Sequence, residues 1–195
     1  MKEVSINKQM KISQHFTLGE LTKTKQVTPD GNIPSRVVIE NLKRICENWL
    51  EDLRYSYNTL YVWNVEGGAR PKDACYHRDA RMRNENTHDA DEDEPIIINS
   101  GYRSPAVNKL AGGAANSNHL TGCAVDIRCA GKEQMIRYAS ILLDIADGTK
   151  QDYDELLLEQ HGSVCWLHFA VRPKDNRRKI AFLSSMPINV NKKRR

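Results

Sequence analysis

The stretch at residues 156–171 reads LLLEQHGSVCWLHFAV and contains two apolar runs separated by a short polar turn. Each run, at 156–159 and 165–171, predicts a β-strand, and the five residues between them suit a hairpin. Alternation along the second strand places His168 and Trp166 on one face and the most apolar stripe on the other. An imidazole on the less apolar face is a candidate functional group.

Helices and strands are mixed along the rest of the chain. Thr17 and Glu20 have the capping-box spacing that begins a short helix. Apolar periodicity and capping residues predict further helices after Ser35, over 105–111 and over 132–147, the last with Gly148 as its C-terminal cap. Apolar or β-rich runs predict strands over 59–65, 95–99, 123–128 and 179–183. Because hairpin links occur and helices do not alternate strictly with strands, we expect an α+β fold rather than a doubly wound sheet.

Length and composition favour one soluble domain that spans residues 1–195. Of the 195 residues, 39% are hydrophobic and 28% are charged, and no apolar run reaches the roughly 18 residues that a membrane span needs. The first ten residues lack the apolar segment of a secretion signal, so we expect synthesis in the cytoplasm without Sec export. The five cysteines are odd in number and lack metal-finger spacing, which favours free, buried thiols.

Charge is distributed unevenly along the chain. The net charge is +4, but residues 172–195 hold nine Lys and Arg against the single Asp175. A basic tail at about 189–195 suits any polyanion, including an anionic cell wall, or is a solvated terminus. Residues 56–94, which contain the acidic run DADEDE at 89–94, predict a surface insertion.

A second stretch carries the chemistry. Residues 117–126 read SNHLTGCAVD, and His119 and Asp126 can converge if the first lies on a loop and the second on the strand that follows. His168 is the candidate third ligand. Two imidazoles and one carboxylate suit a single zinc ion whose fourth position stays open for water, which favours catalysis over a structural site. The alternative is that these histidines are ordinary surface or core residues.

Several separated motifs together resemble the zinc D-Ala-D-Ala carboxypeptidase family of murein peptidases, which is common among phage lysis enzymes. The motifs are SGYRSP at 100–105, Asn108, the glycine pair at 112–113, SxHxxGxAxD at 117–126 and WxH at 166–168. The likeness extends to residues 15–21, 41–42 and 176–178, and covers most of the chain apart from about 56–94.

The resemblance implies a fold, a metal site and a set of roles. The fold is an α+β domain like the Hedgehog signalling domain, with a small antiparallel sheet flanked by helices, and zinc is held by His119, Asp126 and His168. Hydrolysis then needs a cation for the developing oxyanion or the substrate carboxylate, and a general base. Arg103 matches the arginine of the family's SGYRS block and takes the cationic role, with a structural ion pair as the alternative.

The general base is either Glu159 or His161. Several relatives carry histidine two positions before the final ligand, where this chain has Trp166, which cannot act as a base. We favour Glu159, because in a hairpin its carboxylate can face the strand of His168. Both residues also suit a merely polar surface.

Three further residues are candidates for contact with the substrate. Ser117 is expected to bind substrate or orient a ligand, with capping of the loop as the alternative. Tyr102 and Asn116 are expected to line the cleft, or else to pack without a functional role.

Together these features predict a zinc metallopeptidase that hydrolyses an amide bond in peptidoglycan stems or cross-links, as a D-Ala-D-Ala carboxypeptidase or an endopeptidase. We expect a monomer that acts on the cell wall after release, in the host periplasm if it is a phage lysis enzyme, and that has no nucleic-acid partner. The alternative is a non-catalytic, zinc-stabilised binding or virion structural domain on the same scaffold. The bond cut, a phage or bacterial origin and the role of the insertion stay open.

Overall fold

Five strands form one sheet in the computed structural model, which describes residues 7–65 and 94–184. The strands are β1 (Ile98–Ser100), β2 (Ala124–Cys129), β3 (Glu155–His161), β4 (Val164–Ala170) and β5 (Lys179–Ser184), in the spatial order β1-β2-β4-β3-β5. The helices are α1 (Leu18–Leu21), α2 (Arg36–Ile45), α3 (Glu51–Val65), α4 (Pro105–Leu110) and α5 (Lys132–Thr149). A π-helical turn at Cys46–Leu50 joins α2 to α3, and a 3-10 turn at Asn118–Thr121 precedes β2.

The predicted α+β class is confirmed. The hairpin of β3 and β4 forms where the two apolar runs predict it, and β2 and β1 extend the sheet by antiparallel pairing. The expectation of an antiparallel sheet needs one correction, because β5 pairs with β3 in parallel. The end of β4 lies beside the start of β3. The connection after β4 passes that end of β3, and β5 then runs along its other edge in the same direction.

Capping residues begin three of the helices as the sequence predicts. Thr17 and Glu20 form the reciprocal capping box of α1. Ser35 caps α2, and Ser104 caps α4 ahead of Pro105 at the first helical position. The end of α5 differs from expectation, since the helix passes Gly148 and the left-handed residue Lys150, with φ of 59°, closes it.

The predicted strand at 59–65 is wrong, because these residues belong to α3. β-branched and aromatic residues favour strands only weakly, and tertiary packing overrides that preference. Here Leu53 is fully buried, and the ring of Tyr57 contacts Tyr138 of α5 edge to face at 4.8 Å between centroids. Helix α3 thus extends through residues 56–65, which were expected to belong to a surface insertion.

The predicted surface insertion therefore does not begin at residue 56. Ser56 and Tyr57 are buried within α3. The remainder of the predicted insertion, at 66–93, lies outside the described residues, as does the predicted basic tail at 189–195. The single-domain prediction is untested and stays a prediction.

The apolar core lies on one face of the sheet and leaves the other face for polar side chains. Alternate residues of β2 and β4, among them Ile127 and Phe169, are fully buried on the core face, which α5 contacts. Trp49 anchors this layer through edge-to-face contact with Phe169 at 5.0 Å. The described cysteines are free and buried, as predicted, and none of the described helices is long and apolar enough to cross a membrane.

Candidate active site

The three predicted ligands lie together on the polar face of the sheet. One nitrogen or oxygen from each of His119, Asp126 and His168 falls within 4.8 Å of the others, and the residues are 2%, 7% and 8% exposed. Asp126 Oδ1 lies 3.2 Å from His119 Nε2 and 2.8 Å from His168 Nδ1. The structure therefore brings together side chains that are up to 49 positions apart in the sequence.

Strand register positions two of these side chains. The antiparallel pairing of β2 with β4 puts Asp126 directly opposite His168. Directly opposed residues share a face of the sheet and have their Cβ atoms about 5 Å apart. The juxtaposition of carboxylate and imidazole therefore follows from the register between β2 and β4.

A capped 3-10 turn positions His119. Ser117 Oγ accepts a hydrogen bond from the His119 backbone N–H at 3.3 Å, which begins the turn. Gly122 ends it with φ of 69°, and a Cβ there would lie 2.7 Å from the backbone oxygen of Val38. Only glycine meets both conditions, which explains the glycine of the motif.

The outer nitrogens of both imidazoles are also held. His119 Nδ1 lies 2.6 Å from the backbone oxygen of Gly101, and His168 Nε2 lies 3.6 Å from Glu155 Oε2. In the neutral form of each ring, a proton on the outer nitrogen leaves the inner nitrogen with the lone pair that a metal ion needs. Partners of this kind orient the histidine ligands of metal sites.

The electrostatics of the cluster favour positive charge. Burial alone would lower the pKa of His168, but the carboxylates of Asp126 and Glu155 outweigh it and raise that pKa to about 9. Burial would likewise raise the pKa of Asp126, but His119 and His168 hold it well below its usual range. Two imidazole nitrogens and one carboxylate oxygen are also the donor types of catalytic zinc sites, so the residues fit a zinc ion.

Arg103 lies at the site but is bound to a ligand residue. Its Nη2 donates a hydrogen bond to Asp126 Oδ2, and its Nε donates to Ser100 Oγ at 2.7 Å. The side chain is therefore held beside the cluster by an ion pair of the kind that was the alternative to the catalytic role. Its contact with an oxyanion or a substrate carboxylate stays a prediction.

Both candidates for the general base lie on β3, at different distances from the cluster. Leu157 is opposite His168, Glu159 is one step further along the same face, and His161 is at the end of the strand, where it is exposed. Burial raises the pKa of Glu159, and Asp126 raises it further, while His168, His119 and Arg103 act in the opposite direction. Glu159 is thus nearer to His168 along the strand than His161 is, and the charges of the cluster affect its pKa.

The structure gives local roles to the predicted substrate contacts. Ser117 caps the turn of His119, as in the alternative interpretation. Tyr102 is buried, which raises the pKa of its hydroxyl, and its backbone N–H donates to the Leu21 oxygen at 2.7 Å. Asn116 is exposed in the loop before the turn. Contact of these residues with a substrate stays a prediction.

Sequence reasoning missed a buried carboxylate that ties the site together. Asp154 is fully buried and accepts hydrogen bonds from Arg177 Nε at 2.8 Å, Arg177 Nη2 at 2.7 Å and Asn118 Nδ2 at 2.8 Å. Arg172 Nη2 lies 2.8 Å from its Oδ1. Burial opposes ionisation, but these donors lower the pKa of Asp154 to about 2. Asp154 therefore links the turn of His119 to the segment that follows β4.

Glu155 was also missed, although it contacts His168. Asn118 Nδ2 donates to its Oε2 at 3.2 Å, and Lys179 Nζ and Arg177 Nη2 each lie 3.1 Å from its Oε1. Contact with His168, opposed by burial and helped by these cations, lowers the pKa of Glu155 to about 2. Acidic residues before an apolar run look like an ordinary polar strand end, and the partners that distinguish Glu155 are distant in sequence.

Comparison with known proteins gives one family match, over part of the chain. Residues 66–150 match the family model Peptidase M15, the zinc D-Ala-D-Ala carboxypeptidase-like family, and no curated protein matches the chain. The matched segment contains Arg103, His119 and Asp126, and ends before β3 and β4 supply the remaining site residues. The family resemblance that the sequence motifs predict is confirmed. The chain thus resembles the Peptidase M15 family over residues 66–150, and that family consists of peptidases.

Proposed function

We propose that the protein is a zinc-dependent peptidase that hydrolyses an amide bond in the peptide stems or cross-links of peptidoglycan. The observation that carries the proposal is the convergence of His119 Nε2, Asp126 Oδ1 and His168 Nδ1 in a chain whose residues 66–150 match the Peptidase M15 family. When bound, zinc supplies a water of lowered pKa, near 7, and polarises the carbonyl that is attacked.

The protein holds the donor atoms in place before any ion binds. The Gly101 carbonyl lies beside Nδ1 of His119, and the Glu155 carboxylate lies beside Nε2 of His168. The other nitrogen of each ring is therefore directed at Asp126. Arg103 binds the second oxygen of Asp126, which leaves Oδ1 as the oxygen shared with the histidines. A preorganised donor set lowers the cost of binding a metal ion.

Glu159 acts as the general base, and His161 is the alternative. Glu159 is half-buried on the face of His168, and burial raises its pKa toward the range in which a carboxylate exchanges protons efficiently near neutral pH. In its ionised form it accepts the proton of the attacking water. It then donates that proton to the nitrogen of the leaving amine, and returns to its ionised form.

Arg103 stabilises negative charge on the substrate. A guanidinium has five N–H donors, and the hydrogen bonds to Asp126 and Ser100 use two of them. The remaining donors can bind the oxyanion of the tetrahedral intermediate or a substrate carboxylate. The same residue thus orients Asp126 and assists the reaction.

The proposed setting is the cell wall, where the protein acts as a phage lysis enzyme or a bacterial wall hydrolase. The motif resemblance supports this setting, and the many basic residues at 172–195 suit an anionic polymer. We propose a monomer that needs release from the cytoplasm to reach its substrate.

Digestion of purified murein tests the proposal. The zinc-loaded protein should release peptide fragments whose masses identify the bond, a chelator should stop the release, and added zinc should restore it. His168→Ala should abolish both zinc binding and hydrolysis. His15→Ala is the matched control, because His15 also lies beside a carboxylate, at 2.6 Å from Glu51, but away from the cluster. Stoichiometric zinc without any hydrolysis would overturn the proposal and favour the non-catalytic binding domain.

A further inference from the structure

A second row of side chains crosses the same face of the sheet, next to the cluster. The strand registers place Arg128 of β2 opposite Trp166 of β4, and Trp166 opposite Glu159 of β3. This row lies two residues along the strands from the row of Asp126 and His168, a distance of about 7 Å. A peptide bound at the cluster can therefore extend over this row.

Arg128 carries a positive charge that the described residues do not neutralise. The side chain is exposed, and within 7–65 and 94–184 its guanidinium makes no hydrogen bond or ion pair. Asp126, on the same strand face, is already bound by Arg103 and both histidines. Glu159 is two interstrand spacings away, about 10 Å. The guanidinium donors of Arg128 are therefore available to a ligand.

Partly exposed apolar side chains flank Arg128 on both sides. Trp166 is partly exposed, and its indole N–H has no hydrogen-bond acceptor among the residues that the structure describes. Ile97, whose backbone oxygen accepts from the Arg128 N–H at 2.9 Å, lies between two buried isoleucines and is 45% exposed. Leu183, on β5 opposite Glu159 at the far end of the row, is 48% exposed. The row thus has the cation of Arg128 at one end and the carboxylate of Glu159 toward the other, with the indole of Trp166 between them.

We propose that Arg128 and Trp166 form a subsite for a carboxylate-bearing part of the substrate, within about two residues of the hydrolysed amide. This inference rests on the proposed peptidase function and specifies its substrate as an acidic peptide. The planar guanidinium of Arg128 matches a carboxylate in two parallel hydrogen bonds. The face of Trp166 packs against the alkyl part of the same residue. The enzyme accordingly prefers a free carboxyl group at this position to an amidated one.

The test compares one purified muropeptide that has free carboxyl groups with its chemically amidated form. For the free form, Arg128→Ala should raise KM about 10-fold to 100-fold with kcat little changed, because a hydrogen bond to a charged group is lost. Arg128→Lys should recover part of the effect. The preference of the parent protein for the free form should be lost in Arg128→Ala. Arg137→Ala is the matched control, since Arg137 is an arginine on α5, on the opposite face of the sheet.

The outcomes separate this inference from the proposed function. If the parent protein cleaves the free muropeptide and Arg128→Ala cleaves it with unchanged KM, the subsite is overturned and the peptidase proposal stands. If the zinc-loaded parent cleaves neither form nor intact murein, the peptidase proposal itself fails. Because Arg128 is exposed, its replacement should not disturb folding, and a thermal unfolding curve that matches the parent checks this.

Discussion

The two ends of β3 carry carboxylates in opposite electrostatic states. Glu155 and Glu159 lie four residues apart on one face of the strand, on either side of Leu157, which is opposite His168. Contacts with His168 and with cations such as Lys179 lower the pKa of Glu155 to about 2, whereas burial raises the pKa of Glu159. Equivalent positions on a strand therefore give an ionised structural group at one end and a group suited to proton transfer at the other.

The two pKa values differ because different side chains lie near the two ends of β3. At the start of β3, the segment after β4 brings Arg172 and Arg177 to the carboxylates of Asp154 and Glu155. At the far end, the strand continues into the hairpin, and no described side chain donates a hydrogen bond to the Glu159 carboxylate. Burial raises the pKa of a carboxyl group that accepts no hydrogen bonds, whereas hydrogen bonds from nearby donors lower it.

The largest effect is expected from Glu159→Gln. Removal of a general base lowers kcat by about 10²-fold to 10⁴-fold. Stability should not fall, because a carboxyl whose folded pKa is raised opposes folding above that pKa, and the neutral amide relieves this. Murein digestion and thermal unfolding measure the two effects. His161→Ala is the control and should keep most of the activity; an inactive His161→Ala beside an active Glu159→Gln would reverse the two assignments.

The second largest effect is expected on stability, from the substitution Asp154→Asn. The free energy of unfolding should fall by about 3 kcal/mol, the lower end for a broken buried ion pair, because Arg172 and Arg177 can still reach solvent. Urea denaturation measures the loss. The control Asp152→Asn removes an exposed partner of Arg178 and should change stability by less than about 0.5 kcal/mol.

The pH dependence of that loss has a defined sign. The pKa of Asp154 is lowered to about 2, so its contribution is present at neutral pH and disappears as the pH falls through the unfolded and then the folded value. The parent and Asp154→Asn should therefore become equally stable toward pH 2. A difference that persists there would mean that packing, not charge, explains the effect.

The sequence predicted the three grouped side chains through the motifs at 117–126 and 166–168, and strand register accounts for the pairing of Asp126 with His168. The hairpin and the strand that contains Asp126 were both predicted, but the pairing of β2 with β4 that sets Asp126 opposite His168 is seen only in the structure. Local capping signals at Thr17, Ser35 and Ser104 were equally readable, since each uses a side chain within three residues of the group that it satisfies.

Features that depend on distant partners could not be predicted in the same way. Asp154 and Glu155 are distinguished only by contacts with Asn118, Arg172 and Arg177, which the fold brings together. The strand expected at 59–65 was wrong for a related reason, because packing on α5 decided the conformation of α3. Local patterns thus identified the ligand candidates but not the contacts that hold them.

Glu155→Gln tests the structural end of β3 directly. Loss of the partner of His168 Nε2 should lower zinc affinity about 10-fold to 100-fold, as for other groups that orient metal ligands. Competition with a chromogenic chelator measures the affinity without reference to activity. Glu133→Gln, which removes an exposed partner of Arg137 on α5, is the control. Glu159→Gln should bind zinc nearly as the parent does; equal losses in both β3 variants would contradict the contrast between the two ends.

The smallest expected effect is the position of the acid limb of the pH profile. If Glu159 must be ionised to accept a proton, kcat/KM falls as the pH drops through its pKa, and because burial raises that pKa the limb should lie above the ordinary range of a glutamate. Zinc content measured at each pH separates this titration from loss of the ion. A limb within the ordinary glutamate range, with zinc fully retained, would show that the two ends of β3 do not differ in the working enzyme and would shift the assignment of the base away from Glu159.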